Sequence, residues 1–442
     1  MFSLTCCKNN KIKYCGIIKM ESKIENIYDI IILGGGIAGL YSAYKLSKRS
    51  PTTKILLLEK ENVLGGRVKT YKDKLMQVEA GAGRFHSGHK LYIALLKELG
   101  LAGNMFKLGK DNIFYDVRTK MPIENPNVPL IKRLIENFDK VPVENMRMMT
   151  VLEYATRILS PEEISVLKET FGYYTELVTM NAHDCLSFLK DHLSVDHTFY
   201  VLKGGMNQVI DKLEESLLKN RGVKILLKHS VSDIHLSEGG DGNYVVSCHR
   251  RKLVFVGKKI ISALPKQVLE KIPYFKPIHN VLKHSIYCGP LCRIYSAFPK
   301  GKDGRVWFDD LNKFTTNNNL RIVIPIRDGV IMTSYTDNKY AKFWKNLYEK
   351  GGVEAMNREL LRLMEESTGI KNIPQPIETN IFYWDCGVGY WTVGTDSKEI
   401  SEKIIQPLTG DNIFICGEHF SEKNQQWIEG ALDTSERVML KI

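Results

Sequence analysis

Residues 28–39 constrain the fold more than any other stretch of the chain. An apolar run from Tyr28 to Leu33, interrupted only by Asp29, meets Gly34-Gly35-Gly36-Ile37-Ala38-Gly39, and a helical pattern continues from Ile37 to Arg49 before Pro51 stops it. A run that is apolar on both faces reads as a central parallel strand. Gly34 permits the tight turn, Gly36 lets the backbone approach a pyrophosphate, and Gly39 lets helix lie against strand. Ile37 and Ala38 open the helix, whose free N–H groups and positive dipole end suit phosphates. Lys54 to Glu59 reads as a second buried strand, ending in an acid twenty residues after Gly39. Glu59 there can accept hydrogen bonds from both hydroxyls of a ribose. Strand, glycine turn, helix and strand together are the βαβ unit of a dinucleotide fold, with NAD and FAD equal candidates at this point. The apolar stretch is too short to cross a bilayer, so no membrane span is expected.

With 442 residues the chain has room for two domains and a large core. Its 43% hydrophobic and 25% charged residues exclude the disordered class. A net charge of +12 invites a nucleic-acid reading, but the lysines are spread along the chain as a solvated surface and form no basic block, so none is expected. The nine cysteines are odd in number, irregularly spaced and without a CxxC pair. That pattern supports neither a disulfide framework nor a zinc site and points to a reducing, cytoplasmic compartment. His86, His89 and His183 show no metal spacing either. Residues 1–26 lack the apolar stretch of a signal peptide and read as a disordered leader, although Cys6-Cys7 could be acylated.

From about Pro129 to Leu193 the pattern is helical. Ser160-Pro161-Glu162-Glu163 is a helix start with a serine cap, a proline in the first turn and a glutamate at the third position, and Asn181 with Asp184 starts another. A strand and turn at Phe199–Gly205 lead into a helix through Leu218, and strands are expected at Val223–Leu227, Tyr244–Cys248, Leu253–Val256, Lys259–Ala263 and Ile413–Cys416. Arg321–Ile326 and Val330–Thr336 read as an antiparallel pair turning at Asp328-Gly329.

The segment after Glu59 separates the two cofactors. Glu59-Lys60-Glu61-Asn62-Val63-Leu64-Gly65-Gly66-Arg67 resembles the glycine-glycine-arginine motif of the flavin amine oxidase superfamily. There Glu59 and Lys60 fall on the ribose side, Gly65 and Gly66 permit close backbone approach, and Arg67 can pair with the second phosphate. The resemblance runs on through Val78-Glu79-Ala80-Gly81-Ala82-Gly83-Arg84-Phe85-His86, the segment that passes the flavin ring, and through Lys203-Gly204-Gly205-Met206. It continues in Lys228–Ile234, whose Val231 corresponds to a backbone contact with adenine, and in Ser262-Ala263-Leu264-Pro265. It ends in Asn412–Glu418, where Gly417 and Glu418 approach the ribityl chain, and in Trp427-Ile428-Glu429-Gly430-Ala431-Leu432, a helix start that faces the flavin pyrimidine and includes Ile428 and Ala431.

The resemblance implies FAD as cofactor. It also implies oxidation of an amine or amino acid to an imine, with oxygen as acceptor and hydrogen peroxide as product. Tyr390 and Trp427 fall where two aromatic rings flank the amine in monoamine oxidases, or else they are core aromatics; Trp384 could line the same pocket. Gly389 stands where covalent members carry the flavin-bonding cysteine, so the FAD is expected to be held without a covalent bond. Arg293 stands where many members place a lysine near flavin N5, and arginine is a larger, planar donor that cannot act as a base. Arg84 matches the arginine that clamps the substrate carboxylate in L-amino-acid oxidases, or it holds a phosphate or a neighbouring acid. A desaturase-type C–C oxidation, or an FAD-binding interaction protein with weak turnover, are the alternatives.

The expected architecture is α/β, with a Rossmann-like, discontinuous FAD-binding domain from residues 27–95, 203–300 and 405–442. The second, α+β substrate domain comprises 96–202 and 301–404, a mixed sheet with a helical insertion.

Overall fold

The computed structural model describes residues 27–109, 113–194, 197–249 and 253–442. The leader expected at 1–26 lies outside the described residues. The chain forms a mixed α/β structure around two seven-stranded sheets. In the first, parallel strands Ile27–Leu33, Ile55–Leu58, Val223–Leu226, Val254–Ser262 and Ile413–Ile415 form the dinucleotide-type layer. Alternation along the first strand sends Ile30 and Ile32 into one core and Ile31 and Leu33 into another, which is why this strand is apolar on both faces. The helix Ile37–Arg49 covers the first face together with the C-terminal helix Ile428–Met439, and Ser435 Oγ donates to Ala38 O at 3.2 Å. Leu253–Val256 and Lys259–Ala263, expected as two strands, are one strand, Val254–Ser262. One of its edges pairs along its length with Ile27–Leu33, and the other is shared by Tyr244–Cys248 and Ile413–Ile415.

The second sheet runs in the order Glu378–Trp391, Ile286–Ala297, Val330–Asp337, Ile322–Pro325, Phe314–Thr316, Ile113–Tyr115, Pro122–Glu124. Its two longest strands alternate cleanly in the middle. Cys292 and Ile294 pack outward against Trp344, Leu360 and Met364 of the long helix Asn338–Thr368, so Arg293 and Tyr295 face inward toward the first sheet. The strand Ile286–Ala297, part of the 203–300 segment expected in the cofactor domain, is hydrogen-bonded on both edges within the second sheet. The hairpin at Asp328-Gly329 forms as expected, with φ of 56° and 80° at the two turn residues.

The helical insertion packs against the second sheet. The Pro161–Thr170 helix starts with the expected capping box, Ser160 and Glu163 bonding each other's backbone amides. Asp184 N donates to Asn181 Oδ1 at 2.9 Å at the head of the Ala182–Ser194 helix. The insertion's core takes in Tyr390 from the second sheet, tying the insertion to the wall of the crevice. Among the described residues no helix is long and apolar enough to cross a membrane.

Candidate functional site

Two glycine turns meet at the carboxyl end of the first sheet. Gly34 has φ of 102°, and Gly65 and Gly66 have φ of 109° and 57°, conformations that side chains resist. Gly65 N donates to Gly35 O at 2.9 Å, and Gly36 and Gly65 form a β-bridge. Glu59 is buried beside them, its Oε2 accepting from Gly35 N at 2.7 Å and its Oε1 from Glu61 N at 2.8 Å. A Cβ on Gly39 would lie 2.0 Å from Gly34 O, whereas a Cβ on Gly36 would meet no atom within 4 Å. Gly39 is therefore required by packing, and Gly36 borders open space. The helix behind it has no side-chain cap and no acid in its first turn, leaving its amides for an anion. These features fit a diphosphate. Lys60 is not part of this cradle: it points outward, 62% exposed, toward Glu61 at 3.3 Å.

Val231 begins a strand held next to the ribose acid, because His229 N donates to Glu59 O at 2.8 Å and Lys228 N to Glu61 O at 2.9 Å. On the other side of the crevice Arg67 forms an ion pair with Glu418 and donates to Gly387 O at 3.0 Å. Glu418 also accepts from Gln426 N at 2.9 Å, and Gly417 N donates to Thr434 Oγ1 at 2.9 Å. Burial works against the Glu418 carboxylate, but the adjacent His419 ring, the Arg67 charge and the Gln426 amide hold its pKa down at about 2. The helix that starts beyond Trp427, with Ile428 and Ala431 buried, has no side-chain cap. Residues separated by more than 350 positions are thus brought side by side: Gly36 bridges Gly65, and Arg67, two residues on, pairs with Glu418.

The segment Glu79–Arg84 crosses this crevice in a tight passage. A Cβ on Gly81 would sit 1.9 Å from Arg67 O, and Ala82 N donates to that same oxygen at 2.9 Å. Three inward side chains of the second sheet hold it. Tyr295 Oη donates to Glu79 O at 2.8 Å, Trp384 Nε1 to Ala80 O at 2.7 Å, and Arg293 to Glu79 O at 3.0 Å and to Gly81 O. The Arg293 guanidinium also lies 4.6 Å from the centre of the Tyr335 ring, and a Cβ on Gly83 would approach it to 3.0 Å. Arg293 is thus a clamp on the backbone of the crossing segment. Trp384, read in the sequence as a pocket lining, has the same duty.

Beyond the crossing segment, Arg84 donates to Tyr173 Oη at 2.8 Å and lies 5.3 Å from the Phe199 ring and 5.8 Å from the Trp427 ring. Trp427 packs on His89 and His86, with centroids 4.7 and 5.5 Å away. Tyr390 is fully buried, its ring 6.3 Å from Tyr287 and pressed against Gly289. Gly389 has no room for a side chain, since a Cβ there would be 3.0 Å from the His419 ring.

Sequence reading missed two acids of this wall. Glu176 is 3% exposed and no hydrogen bond reaches its carboxyl among the described residues; burial, with the like charge of Asp337, raises its pKa to about 8 despite Arg84. Asp337 accepts from Tyr174 N at 3.0 Å and Thr175 N at 2.7 Å, and burial still raises it. Neither belongs to a motif. Only their polarity within apolar runs could have flagged them. Burial likewise raises Glu79 to about 7, against the amide of Met206 and the hydroxyl of Thr70.

The cysteine reading needs correction. Cys288 and Cys386 come from the two paired long strands with Cα atoms 5.0 Å apart and their sulfurs in bonding contact. They are 98 residues apart in sequence, a separation that no spacing rule detects.

The fold is a Rossmann-like layer joined to a second mixed sheet. The chain belongs to the flavin containing amine oxidoreductase family, whose profile matches residues 145–438, while an NAD(P)-binding Rossmann-like profile matches residues 32–99. It is 24% identical to achacin of Lissachatina fulica over 93% of this chain and 92% of achacin. It is 22% identical to the flavin-containing amine oxidase A of Equus caballus, over 95% of this chain and 86% of that one. An uncharacterized protein of Acanthamoeba polyphaga mimivirus is 23% identical over 93% of each chain. Among solved structures, a redesigned putrescine oxidase shares the fold with a TM-score of 0.75 at 15% identity, covering 94% of this chain and 98% of that one.

Proposed function

We propose that this chain oxidises an amine or amino acid to the imine with a non-covalently held FAD, oxygen accepting the electrons and hydrogen peroxide leaving. The observation that carries the reading is the contiguity of the Gly34–Gly39 turn, the Gly65–Arg67 turn and Glu418. Gly36 and the amides of Ile37 and Ala38 would hold the diphosphate, Glu59 a ribose and the Val231 backbone the adenine. Arg67, Gly417, Glu418 and the Ile428–Ala431 turn would hold the flavin half. Bound FAD would supply the two-electron oxidation of the carbon next to nitrogen. His419, filling the space beside Gly389, supports attachment without a covalent bond.

The protein's own part is to bind and orient. Tyr390 and Trp427 would be the two rings that flank the amine, low in polarity and favouring its neutral form. Arg84, anchored by Tyr173, is the group for a substrate carboxylate. Arg293, Tyr295 and Trp384 fix the backbone of residues 79–81 so that the ring-facing segment keeps its place. We also propose the residues 27–95, 203–285 and 405–442 as the cofactor domain, and 96–202 and 286–404 as the substrate domain.

The test is anaerobic mixing of purified FAD-loaded protein with a panel of amines and amino acids. Loss of the flavin's yellow absorbance, followed by peroxide on admitting air, supports the reading. A protein that takes up no flavin, or a flavin that none of the panel reduces, defeats it. Arg84→Ala should weaken carboxylated substrates alone; an equal loss on simple amines would remove the carboxylate role.

A further inference from the structure

We propose that Cys288 and Cys386 form a peroxide-oxidisable dithiol whose disulfide locks the cofactor wall behind Arg67. The peroxide source rests on the proposed function, but the chemistry of the pair does not.

The two cysteines face each other across the longest ladder of the second sheet, at its one interruption. Register shifts between Gly289 and Leu291, so the ladder around Pro290 is broken where the sulfurs meet. A Cα separation of 5.0 Å lies in the range that a disulfide spans. Both residues are partly exposed, whereas Cys185, Cys248, Cys292 and Cys416 are buried. Burial pushes the thiols of Cys248 and Cys416 up to about 11 and those of Cys185 and Cys292 upward as well, which leaves them inert as nucleophiles. Near the pair, Gln267 Oε1 lies 3.2 Å from Cys386 Sγ and 3.5 Å from Cys288 Sγ, and His419 Nε2 lies 3.7 and 3.9 Å away.

This set of two sulfurs and an imidazole also has the composition of a metal site. The hydrogen bonds argue against it. Lys266 N–H donates to His419 Nδ1 at 3.2 Å, so in the neutral ring the proton sits on Nε2, which lies 3.0 Å from the Glu418 carboxylate. The nitrogen nearest the sulfurs then has no lone pair to give. Burial lowers the His419 pKa and keeps the ring neutral, while Arg67 crowds the same nitrogen at 3.0 Å.

One thiolate attacks the peroxide, the O–O bond breaks, and a sulfenic acid and hydroxide form. The second thiol displaces hydroxide from the sulfenic sulfur, giving the S–S bond and a second water once protons are returned. Two thiols lose two electrons, and one peroxide becomes two waters. Neighbours in the chain carry the effect to the cofactor wall. Gly387, next to Cys386, accepts from Arg67, and His419, next to Glu418, touches both sulfurs. Cross-linking the strands there restrains the residues that would hold the flavin half of the cofactor.

The experiment uses the full FAD-loaded chain, reduced and then treated with a molar equivalent of hydrogen peroxide. Thiol labelling and peptide mapping should show Cys288 and Cys386 joined, with Cys185, Cys248, Cys292 and Cys416 still labelled. The oxidised protein should release FAD several-fold more slowly than the reduced one, and Cys288→Ser or Cys386→Ser should each abolish the difference while flavin still binds. Full labelling of both residues after peroxide, equal FAD release in the two states, or stoichiometric zinc freed by a thiol reagent would each overturn the proposal. Failure to oxidise amines bears on the proposed function alone, because added peroxide replaces the enzyme's own.

Discussion

Two acids buried to a similar depth behave in opposite ways: Glu418, 7% exposed beside Arg67, and Glu176, 3% exposed beside Asp337. Glu59 is met by two backbone amides and Glu418 by Arg67 and an amide, and Glu418 stays ionised down to about pH 2. Among the described residues Glu176 receives no hydrogen bond; it faces another acid, and burial carries it up to about 8. Depth alone therefore does not set the charge of a carboxyl; the donors supplied with it do. Glu418 is held ionised by the groups around it, whereas burial beside a second acid favours the neutral form of Glu176.

The sharpest way to break this contrast is to make the surroundings of Glu418 resemble those of Glu176. Arg67→Ala would leave buried Glu418 with only the Gln426 amide and the His419 ring, and breaking a buried ion pair costs about 3–5 kcal/mol. We expect a large loss of thermal stability together with loss of bound flavin, read by melting and by absorbance. Retention of both would show that Glu418 does not depend on its partner.

The glycine cradle separates folding from binding. Gly39→Ala drives a methyl into Gly34 O and should cost about 1–3 kcal/mol of stability. Gly36→Ala meets nothing in the protein, so stability should hold while FAD affinity falls. Equal melting losses in the two variants would remove the open-space argument for Gly36.

A pH series examines the raised acids. Glu176 titrates near 4.5 when unfolded and about 8 when folded, so the stability it contributes is full below 4.5 and is lost as pH rises through about 8. Glu79 shifts in the same direction with a folded value of about 7. Glu418 runs the other way: its contribution is present above 4.5 and is lost as pH falls through about 2. Melting temperature should therefore decline from about pH 5 to about pH 8, and Glu176→Gln should flatten that decline. An unchanged slope would mean that Glu176 is already ionised in the folded protein.

The smallest effect is expected at the clamp between the two halves. Arg293→Lys keeps the charge but offers a point donor in place of a fork, losing one of the carbonyl contacts at residues 79 and 81. A destabilisation of about 1 kcal/mol by chemical denaturation is expected. A loss as large as that of Arg67→Ala would show that Arg293 does more than clamp backbone.

How much could be read beforehand differs between these same regions. The turn at Gly34–Gly39 and the acid Glu59 were legible because twelve neighbouring residues dictate the strand, turn and helix, and backbone sterics do the rest. The capping box at Ser160 and the hairpin at Asp328-Gly329 were legible for the same local reason. Ile286–Ala297 was recognisable as neither a cofactor-domain nor a second-sheet strand, because alternation shows that a strand has two faces and does not name its neighbours. Lys60 entered the reading through its place beside Glu59, and the turn directs it to solvent. Glu176 and the Cys288–Cys386 pair gave no local signal at all.

By itself, then, the amino-acid order determined the Rossmann-like layer, the order of the family motifs and the glycines that let a cofactor approach. These are backbone properties, settled within one turn or one strand. Only the tertiary structure decided which acids stay charged, which arginine clamps and which pairs, and which two of nine cysteines touch. Those outcomes depend on the donors and charges that distant strands bring within a few ångströms, and electrostatic energy is set by distance and burial, which sequence separation does not encode.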